Sequence, residues 1–270
     1  MKRNILTLIC VVAGLLAATS AFGQGQITIT TRKDKIKDFP TKITKAVVPS
    51  QAFLAEAFKE SVASAWTVSP YEFCTMEEFE QLKTSDKYYF LLVVQGQNRK
   101  ESEPGIQMLT LVKGGADVKD VNDMIELVTF PLCAADSPSG REMIFLPAIL
   151  KIMQEQNTSA DTRLLSGMTV YISEDDLADQ VGENELRSLK ESLVIVDEDE
   201  ADDTFTDGDY NTAVSYVIAP EDPGKGSVCY KLIFSADTHE LLYFKKHRIS
   251  ARNGRGFLDS DLKDINSSLK

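Results

Sequence analysis

Apolar residues recur along this chain in two rhythms, every three to four residues and every second residue, and the switches between them mark its elements. Leu54, Phe58, Val62 and Ala65 fall at helical spacing, with Phe53 and Ala57 widening the stripe, and this predicts a helix over 50–65 with Ser50 as its cap. Residues 42–48 form a strand pattern ended by Pro49. Residues 66–73 are also strand-like, but Pro70 lacks a ladder donor, which predicts an edge or bulged strand. Thr75-Met76-Glu77-Glu78 is a capping box flanked by Cys74 and Phe79 at staple spacing, so a short helix runs to about Lys83. Residues 88–95 are almost continuously apolar, as a central strand is. Residues 106–112 are its hairpin partner across the turn-rich stretch 97–105.

The middle of the chain is two-sided. Val118, Val121, Ile125 and Val128 fit a helix, while 127–132 fits a strand. Residues 136–140 read as a loop and 145–156 as an apolar helix with Pro147 near its start. A strand at 168–172 runs into a helix start at Ser173-Glu174-Asp175-Asp176; a helix at 185–192 and a strand at 193–196 follow. Residues 228–235 and 241–249 form a closing hairpin about Ala236-Asp237-Thr238-His239, and Leu258, Leu262, Ile265 and Leu269 stripe a final helix.

Residues 85–95 and 208–218 both read turn, tyrosine, apolar strand, and 106–112 matches 228–234; the loops between carry Glu103-Pro104-Gly105 and Asp222-Pro223-Gly224. The expectation is an α+β (mixed α/β) fold, with mixed sheets carrying helices on one face and two related αβαββ modules, 24–135 and 136–270. The second module adds the hairpin and the last helix.

Ahead of these modules, Lys2 and Arg3 precede an uncharged stretch whose centre, 5–18, is apolar and whose end carries Ala21 and Gly23 at peptidase-read positions. This is the pattern of a secretory signal, residues 1–23, cleaved before Gln24. A lipid anchor at Cys10 is the alternative to simple secretion, and bulky Ile9 before it inside the apolar run weighs against it. A periplasmic or secreted chain of 247 residues is the expected product, with 27 basic against 41 acidic residues. That balance disfavours nucleic acid and anionic lipid, and no later stretch is long enough to cross a bilayer.

Candidate chemistry is sparse. Cys74, Cys133 and Cys229 sit beside apolar residues, read as buried thiols with one disulfide as the alternative. His239 and His247 show no metal-ligand spacing and are expected at the surface; Trp66 is expected in the core. Nucleophile elbows, phosphate loops and paired Cys-x-x-Cys motifs do not occur. The one dense ionisable cluster, from Asp197 to Asp209, reads as a solvated acidic loop. Calcium is the alternative, although the sixth residue from Asp197 is Asp202 where an EF-hand needs glycine. Contact with the basic residues Lys245, Lys246, Arg248, Arg252 and Arg255 is another. No catalytic, cofactor-binding or metal-ligating residue is assigned and no cofactor is expected.

The order helix 50–65, strand 66–73, acidic helix 76–83, strand 88–95, strand 106–112 resembles the α/β module of periplasmic envelope proteins, namely the TolB amino-terminal domain and the curli secretion component family. The whole chain also resembles uncharacterised secreted proteins of Gram-negative bacteria. The resemblance implies protein–protein roles in the envelope, and carries over no functional residue. The expected function is therefore a non-enzymatic, secreted or periplasmic protein-binding or accessory module, with an envelope or extracellular protein as partner. A carboxylate-based hydrolase of envelope or host polymers and a calcium-dependent module are the alternatives.

Overall fold

The computed structural model describes residues 22–24, 27–30 and 33–269. The expected export signal lies outside the described residues, apart from Phe22 and Gly23.

The described residues form two mixed sheets, an α+β architecture. The first is built from β1 (Phe22–Gln24), β2 (Thr28–Ile29), β3 (Ile43–Val47), β4 (Tyr71–Cys74), β5 (Tyr88–Gln97), β6 (Ile106–Lys113) and β7 (Ile125–Ala134), in the order β2-β7-β6-β5-β3-β4 with β1 beside β5. Its helices are α1 (Ala52–Ala65) and α2 (Met76–Leu82). After α3 (Arg141–Glu155) come β8 (Thr169–Ser173), α4 (Glu183–Leu186), β9 (Leu193–Val196), α5 (Glu198–Asp207), β10 (Thr212–Ile218), β11 (Val228–Ser235), β12 (Leu241–Arg248) and α6 (Asp259–Ser268). The second sheet runs β12-β11-β10-β8-β9.

The two sheets repeat one pattern. In each, the first strand (β3 or β8) pairs in parallel with both neighbours, and the third strand opens an antiparallel meander. β4 and β9 lie 122 residues apart, as do β6 and β11. Thr75 and Asp197, the caps that start α2 and α5 directly after those edge strands, share the offset. Within each pattern the order αβαββ is preceded by one strand and followed by another. In the place of α1 stands the single turn α4, while the long α3, read from the sequence as the opening of the second module, precedes β8.

Local chemistry explains most boundaries. Thr75 and Glu78 close the capping box in both directions, with Glu78 N–H donating to Thr75 Oγ1 at 3.2 Å and Thr75 N–H to Glu78 Oε2 at 2.7 Å. Pro70 restricts β4 to four residues at the sheet edge, and Trp66 leaves the strand to bury its ring, donating from Nε1 to Ser69. Ser50 is not the cap of α1; Gln51 holds that position without a side-chain bond. The ambiguous stretch after Val118 resolves into β7, a ten-residue strand buried over Leu127–Cys133.

α3 begins four residues earlier than its apolar pattern, at Arg141, which places Pro147 inside the helix. Proline there removes a backbone bond and costs about 3 kcal/mol. Burial of Phe145, Leu146, Ile149, Leu150, Ile152 and Met153 offsets it, at roughly 1.5–3 kcal/mol per large side chain. α3 lies against α1 and β7, and Gln154 clamps the end of α1, donating to Ala65 O and accepting from Thr67 N–H. Phe145 stacks on Tyr216 of β10 with centroids 4.3 Å apart, and Tyr216 donates its hydroxyl to Leu132 O of β7. One apolar core therefore runs through α3 into both sheets. The opposite face of the second sheet closes a smaller core under α6. There buried Asp261 accepts from buried Lys231, from buried Tyr243 Oη at 2.8 Å and from the half-buried Leu258 N–H at 2.9 Å.

Candidate functional site

In each sheet the chain leaves the first strand for one neighbour and returns to the other, so a crevice opens at the carboxyl ends of the parallel strands. Both crevices hold a cavity. The first, beyond β3 and β5, measures about 780 Å³; Val47, Val48, Pro49, Leu54, Met76 and Val93 give it apolar walls. Its rim includes Gln95, and Gln95–Gln97 is the stretch of β5 to which β1 pairs in parallel. β3 pairs with β5 only as far as Leu91, so the β5 edge beyond it accepts another extended segment. Met76 is 37% exposed at this groove.

The second cavity, beyond β8 and β10, measures about 300 Å³ and is polar. Arg141, at the first turn of α3, dominates it. Its Nε donates to Asp202 at 2.8 Å, its Nη1 lies 3.2 Å from Asp176 and 3.3 Å from Glu198, and its guanidinium rests over the rings of Phe145 and Tyr216. Asp176 is fixed in turn by Ser215 Oγ at 2.6 Å, which itself accepts from Ser173 N–H. Burial pushes the Asp202 carboxyl up to about 6, with Arg141 opposing the rise. Despite its own burial Arg141 is held above the ordinary guanidinium range by Asp176 and Asp202. Glu142 lines both cavities. A more open polar depression of about 780 Å³ shares Asp175, Glu221 and Arg255 with the Arg141 cavity.

Against this geometry several sequence expectations change. The stretch from Asp197 to Asp209 is not a solvated loop. Asp197 accepts from Glu200 N–H and caps α5, whose first turn places carboxylates at the positive end of the helix dipole. Its buried Ala201 and Phe205 face the core, and Glu198 and Asp202 turn to Arg141 rather than to the basic stretch after β11. Lys245 pairs with Asp264 and Asp261 of α6. Among the described residues no group of three or more His, Cys, Asp or Glu is placed to hold a metal ion.

The histidines are half-buried, not surface groups. The His239 ring stacks against Phe205 at 5.2 Å and His247 Nε2 is 2.8 Å from Gly254 O. Cys74, Cys133 and Cys229 are buried and free, and burial raises each thiol above its ordinary range. The pair Arg141 and Glu142 fell between the sequence-assigned loop and helix. The available signal was two adjacent charges at the mouth of an otherwise apolar helix.

No described helix is long and apolar enough to cross a membrane. Comparison with protein-family models, curated proteins and solved structures finds no match.

Proposed function

We propose that this is a non-enzymatic, exported protein-binding module of the cell envelope, and that it takes an extended apolar segment of a partner protein into the groove beside β5. The pairing of β1 with Gln95–Gln97 carries this reading, because it demonstrates a parallel strand docking on that edge. Cleavage before Gln24 removes Phe22 and Gly23 from the edge and leaves its backbone donors and acceptors for a partner. The apolar walls below would seat the partner's inward side chains, and Met76 stands open to contact. The resemblance to envelope α/β modules points the same way.

The test is peptide selection from a random library on the chain starting at Gln24, followed by fluorescence anisotropy. An extended apolar peptide should bind, Met76→Glu should weaken it by about tenfold or more, and Tyr210→Glu, at a site 87% exposed outside the groove lining, should not. Failure to select any peptide, or equal binding by Met76→Glu, would refute the reading.

A further inference from the structure

Two residues that line the Arg141 cavity, Glu142 and Arg141, each hold a buried polar atom that the described residues leave unanswered. Glu142 is 1% exposed; its Oε2 accepts from Gly140 N–H at 2.9 Å, while Oε1 has no hydrogen-bond partner. Arg141 Nη2, on a side chain 9% exposed, also has none. A buried carboxylate oxygen without a donor is costly, at about 1–3 kcal/mol or more for a charged group. Nearby Cys133 and Tyr216 bring no positive charge, because a thiol or phenol is neutral or anionic, and burial holds both neutral. The cavity lining carries five acidic residues against Arg141 and Arg255, so its field favours a cation.

The orphaned pair sets the ligand's chemistry: a donor is needed at Glu142 Oε1 and an acceptor at Arg141 Nη2. A bare metal ion coordinates the carboxylate oxygen but offers no acceptor to the guanidinium. We infer that the cavity binds a primary ammonium group with a neighbouring carbonyl oxygen, the chemistry of a free amino acid or of a peptide's amino terminus. The ammonium donates to Glu142 Oε1 and the carbonyl accepts from Arg141 Nη2. A volume of about 300 Å³ suits a ligand of this size, at the lower end of small-molecule pockets. The inference shares Glu142 with the lining of the β5 groove but does not rest on a partner strand binding there.

Isothermal titration of the chain starting at Gln24 tests it with glycinamide, triglycine amide, their N-acetylated forms and calcium chloride. Free-amine probes should bind at least about tenfold more tightly than the acetylated ones, the expected loss for one hydrogen bond to a charged group. Glycinamide alone binding marks a free amino acid site; triglycine amide binding as well marks a peptide terminus. Glu142→Gln should abolish the preference and Tyr210→Glu, outside both cavity linings, should leave it intact. Should Glu142→Gln fail to fold, the free-against-acetylated comparison on the unaltered chain decides. Equal binding of the acetylated probes, binding of calcium alone, or a crystal structure soaked in glycinamide with only water at Glu142 Oε1 would overturn the inference.

Discussion

At the residue scale, a few buried charges answer one another across the fold. Asp261 answers Lys231, Tyr243 and the start of α6 at once, and although burial opposes ionisation, these partners hold its carboxyl below the ordinary range. The sign follows: this contribution is present above the unfolded carboxylate range near pH 4 and is lost as pH falls through the lower folded value. Asp261→Asn leaves Lys231 charged and unmatched, and should cost about 3–5 kcal/mol in urea denaturation. Replacing both partners, Lys231→Met with Asp261→Leu, should recover a large part of that loss. Asp202 behaves oppositely. Its folded value near 6 makes the folded state bind more protons between about pH 4 and 6, so its contribution falls as pH rises through that window. Carboxyl-carbon NMR should place its midpoint near 6, and Asp202→Asn should remove that slope from the stability profile. Neither pair announces itself in the sequence. Arg141 meets Asp176 and Asp202 from 35 and 61 residues away, separations with no local pattern, whereas the burial of Trp66 and the cysteines followed from their apolar neighbours.

At the element scale, legibility followed periodicity. β5, β6 and β11 carry apolar runs of strand length, and the Thr75 box contains its own start signal. Thr75→Ala should therefore destabilise by about 1 kcal/mol, measurable by thermal or urea melting. α5 was obscured because its acids outnumber the two buried positions, Ala201 and Phe205, whose spacing of four is the helical signal. β7 was obscured because a helical and a strand rhythm overlap at its start. Pro147 misplaced the beginning of α3, since first-turn proline is the common case and tertiary burial overrode it here.

At the scale of the whole molecule, the repeat was visible as a near-constant offset, but the sharing of α3 between the sheets was not, because it exists only in three dimensions. Phe145 touches Phe205, Tyr216 and Phe234 of the second unit while its helix packs on α1 and β7 of the first. Phe145→Ala should cost about 3–5 kcal/mol, and circular dichroism and tryptophan fluorescence of Trp66 should report the loss at the same denaturant concentration. The crevices, too, follow from topology: both open where the strand order reverses, one lined by apolar side chains and the other by Arg141 and its carboxylates. The claim that the apolar crevice and the adjoining β5 edge receive a partner strand is tested most directly by amide hydrogen exchange on the chain starting at Gln24, with and without its selected peptide. Protection should rise across residues 92–97 and at 47–50; unchanged exchange there, with protection confined to any other surface, would contradict it.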